Sequence, residues 1–349
     1  MLRSVFGSCG PTATLLLVAI VPGIASIASR ADTVSDFYRG RNLNFIVTTS
    51  AGGDYDRRAR LVARHMERQI PGQPKIVVQN MPGGGGIRGI NYIYRIAPRD
   101  GTVVGSIEQL APLAQAFEEK GVEYDLLKGT YIGNTTNSPI VLASWHTSNV
   151  KTFEDAMRTE LVLAASGAGS ANTQVPRMLN ALLGTKFKIV SGYPGGNEMY
   201  LAMESGEVAG RATQNWAGWK SQRPDWLRDR KLNLLAQAGN RKHPELLEVP
   251  LLRDYAKTPE DRQVLDIYFD TMEIARPFWI GPEVPVDRAA ALRRAFDATM
   301  ADPEFLAEAA RMIIDIEPTP GEEVQRVIAR VINAPDPIMR RARSFANAQ

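Results

Sequence analysis

The chain has 349 residues, 41 basic and 38 acidic side chains, a formal charge of +3 and one cysteine, Cys9. That length suits two domains of ordinary size, and the scattered basic residues, with no long run, exclude a nucleic-acid partner or an anionic membrane surface. With Cys9 so near the start, the rest of the chain has no disulfide, thiolate nucleophile or cysteine metal ligand.

The N-terminus reads as a secretory signal peptide over residues 1–28. Arg3 supplies a positive start, an apolar run follows over 15–21, Pro22-Gly23 breaks it, and small residues follow at Ala25, Ser26, Ala28 and Ala31. The competing reading, an uncleaved anchor, needs about 20 apolar residues, and this run is far shorter. Arg3 stands alone, so export is expected through the Sec route to the periplasm, with folding outside the cytoplasm. Cys9 precedes the apolar run, where a lipidated cysteine would follow it.

Four segments then repeat one pattern: an apolar run, a glycine-rich turn and a helical stretch. The first is 43–47, then Ala51-Gly52-Gly53-Asp54-Tyr55-Asp56, then 57–70, where Ala59, Val62, Met66 and Ile70 fall near 3.6 spacing. The second is 76–78, then Pro82-Gly83-Gly84-Gly85-Gly86, then a helix to about Ala97, stopped by Pro98. The third is 161–163, then Ser166-Gly167-Ala168-Gly169-Ser170, then a helix to about Leu183. The fourth is 187–190, then Tyr193-Pro194-Gly195-Gly196-Asn197, then 198–205.

The four form two pairs about one domain length apart, hence one pair in each of two similar α/β lobes. Strands alternating with helices imply mainly parallel sheets flanked by helices. Ligands of such sheets sit at the carboxyl ends of the strands. All four loops occupy such ends, so facing lobes would bring them to one cleft. The expected boundaries are 33–139 for the first part of lobe one, 140–275 for lobe two, and 276–349 for the return of lobe one with the C-terminal helices. Towards the C-terminus Thr258, Asp302 and Thr319 each precede a proline and read as helix caps, Thr319 with Glu322 as a capping box. Pro335-Asp336-Pro337 is expected to end regular structure, leaving a polar tail.

Glycine loops let successive backbone amides point into one concavity and bind an anion, helped by the helix N-terminus behind them. Four such loops at matching positions favour anion binding over plain turns. Gly84-x-Gly86-x-x-Gly89, followed by Glu108, also fits a dinucleotide fingerprint. The four consecutive glycines and the export signal weigh against that enzyme, and no cofactor is expected. Asp54-x-Asp56 reads as a helix cap in preference to a hard-cation site. His65, His146 and His243 match no metal spacing, and Ser166 and Ser170 sit in no nucleophile elbow, so neither a metal nor a catalytic residue is expected. The two serines read either as donors to a carboxylate or as loop-internal bonds. Arg211, near the end of a strand, reads either as a bidentate carboxylate grip or as a surface ion pair. Trp216 and Trp219 read as core or hinge packing before cleft wall.

Taken together, these residues resemble the periplasmic substrate-binding proteins of tripartite tricarboxylate transporters, the Bug family. The resemblance runs over essentially the whole mature chain. It is carried by Ser50-Ala51-Gly52-Gly53-Asp54-Tyr55-Asp56 and, most specifically, by Val77-Val78-Gln79-Asn80-Met81-Pro82-Gly83-Gly84-Gly85-Gly86. Ala97-Pro98-Arg99-Asp100-Gly101-Thr102, the Ser166 loop, Tyr193-Pro194-Gly195-Gly196 and Gly206-Glu207-Val208 are similar too. The resemblance implies a monomeric Venus-flytrap fold of two α/β lobes that closes on a small di- or tricarboxylate and delivers it to a membrane permease. It implies a ligand held largely by backbone amides and waters at Gly52, Gly53, Asp54, Tyr55 and Gly83 to Gly86. The second lobe would add Ser166, Gly167, Gly169, Ser170, Tyr193, Gly195, Gly196 and Arg211. Ala209 departs from the family pattern, which often has an acid there, and this weakens the case for an amino-acid ligand. A carboxylate-sensing signalling role stays open beside transport.

Overall fold

The structure, a computed structural model, describes residues 34–346 apart from 169 and 240; the expected signal peptide with Cys9, and Gly169, lie outside the described residues. Two sheets organise the chain. The first holds β1 (Asn42–Val47), β2 (Lys75–Asn80), β3 (Val103–Ser106), β4 (Thr130–Asn134), β10 (Pro277–Ile280) and β11 (Thr319–Pro320), ordered β11-β4-β10-β3-β1-β2. The second holds β5 (Ile140–Trp145), β6 (Leu161–Ala165), β7 (Phe187–Ser191), β8 (Gly210–Asn215) and β9 (Leu232–Ala238), ordered β7-β6-β8-β5-β9. Parallel pairing runs through β2-β1-β3 and β7-β6-β8, and the glycine loops sit at the ends of β1, β2, β6 and β7. β10, β4, β11, β5 and β9 join antiparallel.

β1, β2, β6 and β7 each run through a glycine turn into a helix, as the spacing of apolar residues predicts. These helices are α1 (Asp54–Met66), α2 (Ile87–Arg95), α3 (Ala171–Leu183) and α4 (Gly196–Glu204). α1 lays Ala59, Val62 and Met66 onto the face formed by Leu43, Phe45 and Val47, while α2 lays Ile87, Ile90 and Ile93 on the other face. Burial of such stripes on both faces is what holds an α/β layer together. In the second lobe α3 packs Val175, Met178 and Leu179 against Leu161 and Leu163, and α4 packs Met199, Tyr200 and Met203 against Val141 and Ala164.

The chain leaves the first sheet after β4 and returns just before β10. The two passages are tied at Asn134, whose Oδ1 accepts the backbone N–H of Arg276 at 2.7 Å and whose Nδ2 donates to the Thr136 carbonyl at 2.9 Å.

Three C-terminal details differ from expectation or sharpen it. Thr258 and Asp302 cap their helices by accepting the N–H of Asp261 and Glu304. Thr319 does not: it pairs with Asn134 as β11, and the helix α5 (Gly321–Ile332) starts without a side-chain cap. Strand pairing with β4 wins over the local capping box. Nor do the prolines 335 and 337 end regular structure. Pro337 falls in the first turn of α6 (Asp336–Ala346), where a missing N–H costs nothing. α6, one of the C-terminal helices expected in 276–349, packs Met339 and Ala342 against the second-lobe core around α3.

Candidate ligand-binding cleft

The first-lobe loops are shaped by glycine and braced by acids. Gly83, Gly84, Gly85 and Gly86 have φ of +137°, +60°, +69° and +99°, conformations that only glycine adopts without strain. The run turns directly into α2. In the neighbouring loop, Gly53 is the extended N-cap residue of α1, with no side-chain capping bond. The acids therefore do not cap; they occupy the first turn, where negative charge is favourable, and brace the loop. Asp56 accepts the Gly52 N–H at 2.7 Å and the Asn80 Nδ2 at 2.9 Å. Asp54 accepts Nε of Arg58 at 3.1 Å and Nε of Arg276 at 2.6 Å.

Second-lobe loops press directly against these. A Cβ on Gly167 would lie 2.6 Å from the Gly85 nitrogen, and one on Gly195 would lie 2.0 Å from Ser50 Oγ, so both contacts require glycine. Asn197 Nδ2 donates to the Ala51 carbonyl at 3.3 Å, and Ser50 Oγ donates to Glu198 at 3.2 Å. Arg57 Nη1 donates to the Ser221 carbonyl at 2.9 Å, and Lys220 pairs with Asp315 at 2.9 Å. The lobes are thus shut on one another.

Between them lies a cavity of about 400 Å³. Of the residues singled out from the sequence, Gly53, Asp54, Tyr55, Gly83, Gly84, Gly85, Gly86, Ser166, Tyr193, Gly195, Gly196 and Arg211 line it. Gly52, Gly167 and Ser170 do not. Gly52 anchors to Asp56, Gly167 seats against Gly85, and Ser170 Oγ donates to the Gly167 carbonyl at 2.9 Å, the loop-internal bond. Tyr193 lines the cavity, and its hydroxyl donates to Glu207 at 2.6 Å. Trp219 packs with Tyr200 and Trp226 in the second-lobe core, and Trp216 Nε1 donates to Glu245. Ala209 packs at the edge of the second-lobe core and lies outside the cavity.

Several lining residues were not picked out by motif: Thr48, Gln109, Asn172, Thr213, Gln214 and Arg276. Glu108 was noticed only as the acid of a dinucleotide fingerprint. It does stand beside that loop, with its Cγ 2.7 Å from where a Gly86 Cβ would be. The signal common to Thr48, Glu108, Gln109 and Gln214 is a polar residue at or just after the carboxyl end of a strand, the place where α/β ligands bind.

The cavity's charges are all buried. Arg211 is 7% exposed; its Nε donates to Asn172 Oδ1 at 3.3 Å and its Nη1 has no partner. It makes no ion pair among the described residues, so the surface-pair alternative does not hold. Burial pulls its pKa below the ordinary guanidinium value. Burial also pushes Asp54 upward, but Arg58 and Arg276 outweigh it and hold the carboxyl down at about 2. Glu108 goes the other way. Burial raises it to about 7 against the opposing pull of Arg276, the Tyr55 hydroxyl and Arg211. The cavity thus combines a guanidinium with an unpartnered Nη1, four lining glycines at positive φ and the start of α2, features that suit an anion.

The family model of the tripartite tricarboxylate transporter family receptor matches residues 58–339. This chain belongs to that receptor family. Among curated relatives it is 37% identical over 101 residues to BugT of Bordetella pertussis, covering 29% of this chain and 30% of BugT. It is 26% identical over 185 residues to a UPF0065 protein encoded in the TAR-I ttuE-ttuC′ intergenic region of Agrobacterium vitis. That match takes in 51% of this chain and half the length of the relative. Solved structures extend the likeness to the whole fold. The periplasmic binding protein BugD superposes with a TM-score of 0.71 at 18% identity, over 89% of this chain and 99% of BugD. MatC of Rhodopseudomonas palustris, solved with malate, gives 0.68 at 19% identity, over 88% and 99%. A second R. palustris protein, solved with adipate, gives 0.67 at 17%, over 87% and 97%. The receptor family's two-lobed, periplasmic-binding-protein-like α/β fold is therefore the fold of this chain, and the family is not an enzyme class.

Proposed function

We propose that this receptor captures a small carboxylate between its lobes, outside the cytoplasm, and hands it to the permease of a tripartite tricarboxylate-type transporter. The observation that carries the reading is Arg211: a buried guanidinium with an unpartnered Nη1 in the interlobe cavity, which four glycines at positive φ also line. Leaving a buried cation half-satisfied costs stability unless a ligand completes it. The malate and adipate bound to MatC and its R. palustris counterpart support the same ligand class. Backbone amides recognise carboxylates in general, and the polar side chains around them set the choice among carboxylates.

A thermal-shift screen of mono-, di- and tricarboxylates, with amino acids and sugars as controls, tests this. A carboxylate at 100 times its Kd should stabilise the protein by about 2.7 kcal/mol. Stabilisation by sugars alone, or turnover of a carboxylate with no release of the intact acid, would overturn the reading.

A further inference from the structure

Three guanidiniums, those of Arg58, Arg211 and Arg276, are buried at or behind the cavity wall, and Asp54 is the one carboxylate committed to them. A second carboxyl, Glu108, reaches the cavity from the loop after β3 with 8% of its surface exposed. It is not drawn into the Asp54 network. Arg276 spends its Nε on Asp54 and its Nη1 on Gln109 Oε1 at 3.1 Å and the Ala275 carbonyl at 2.6 Å. Arg211 spends its Nε on Asn172. Glu108 therefore faces the ligand space with no dedicated countercharge. The charged and titratable groups around it are Asp54 and Tyr55 from α1, Arg276 before β10, Arg211 from β8 and Tyr124 from the segment before β4.

We infer that Glu108 sets the ligand choice of this receptor by acting as a neutral acid: it donates its proton in a hydrogen bond to a second carboxylate of a dianionic ligand whose first carboxylate meets Arg211 and the glycine amides. This rests on the carboxylate-receptor reading above and specifies it. The proton balance is simple. A receptor with Glu108 ionised must take up one proton as the dianion enters, because two carboxylates sharing a desolvated site cannot both stay ionised at close range. A receptor with Glu108 already protonated takes up none. Burial in this shut form raises Glu108 to about 7, so the coupling falls in the neutral range. With Glu108 neutral, the excess of guanidinium charge matches a dianion. With Glu108 ionised, the site would favour a ligand bearing an ammonium group.

The test is calorimetry on the mature chain with succinate and malate against aspartate, the ammonium analogue of malate, between about pH 6 and pH 8.5. For the dianions, Kd should weaken above about pH 7 by up to tenfold per pH unit, the limit for one linked proton. Titrations at about pH 8 in two buffers of different ionisation enthalpy should show close to one proton taken up. Glu108→Gln, which keeps a donor and cannot ionise, should flatten the pH profile and bind the dianions more tightly than wild type at pH 8. If that variant does not fold, the wild-type proton count still decides. Dianion binding with no proton uptake at pH 8, an unchanged slope in Glu108→Gln, or tighter binding of aspartate than of malate would overturn the inference while leaving the carboxylate reading intact. Failure of every carboxylate to bind at any pH would overturn both.

Discussion

Asp54 and Glu108 line the same cavity and are shifted in opposite directions, and the stability of the shut form should show both. Asp54 is held below its ordinary 3.8, so its contribution is present above that value and is lost as pH falls through about 2. Glu108 is raised above its ordinary 4.5, so its contribution is present below that value and is lost as pH rises through about 7. Urea unfolding of the ligand-free chain should therefore show stability declining from pH 5 to pH 8, and Glu108→Gln should remove most of that decline. An identical decline in the variant would assign it to other groups. Asp54→Asn leaves the guanidiniums of Arg58 and Arg276 facing each other without their shared partner, which should cost about 3 kcal/mol or more. Arg211→Met has the contrary signature. It removes a half-satisfied buried cation, so the empty protein should melt at or above the wild-type temperature, while carboxylate affinity should fall about 100-fold. A large drop in melting temperature with unchanged affinity would make Arg211 a structural residue.

At the scale of elements, the glycine run 83–86 and the helix α6 make separable predictions. Valine at Gly84 and Gly85 would be placed at positive φ and would push side chains into the cradle. The double variant should lose carboxylate binding in calorimetry while keeping the far-ultraviolet dichroism of the wild type; wild-type affinity would reduce the loop to a turn. In α6, Met339 is 9% exposed against the second-lobe core. Met339→Asp should destabilise by about 2 kcal/mol or more in urea, because it buries a charge with no partner. An unchanged unfolding midpoint would mean that α6 is not anchored there. These elements also show what could be read from the chain in advance. The four strand-loop-helix units were legible because each is local: an apolar run, glycines and a 3.6-period stripe are adjacent in sequence. α6 was misread because proline is tolerated in a first helical turn, and Thr319 because a distant strand claimed it. Arg276, Gln109 and Gln214 were missed for a related reason. They reach the cavity only because β10, β3 and β8 pair across long separations, and no local pattern marks them.

At the scale of the whole molecule, the cavity exists because two lobes meet, and besides the glycine loops they meet through groups that the ligand itself would not touch. Arg57 with the Ser221 carbonyl, and Lys220 with Asp315, link the lobes outside the glycine loops. A ligand bridging both lobes shifts the population toward this shut form by no more than its differential affinity for it. Small-angle scattering should show the radius of gyration falling when a confirmed carboxylate is added to an empty, open receptor. No change at saturation would exclude a hinge-closing receptor. Lys220→Ala should leave the bound shape alone and raise the dissociation rate, since it weakens only the shut state. Unchanged dissociation would place the latch elsewhere.

The glycine cradle carries a consequence for how such a receptor can change its cargo. An amide N–H belongs to every residue but proline, so, Arg211 apart, the proposed anchor for the first carboxylate is written in backbone shape and is indifferent to most substitutions around it. The side chains that would read the remainder of the ligand, Glu108, Gln109, Asn172, Thr213 and Gln214, hang from strand ends and the start of a helix that the cores hold in place independently. Retargeting the protein should therefore need only a handful of exchanges at those tips, with the grip on the first carboxylate inherited unchanged by every variant.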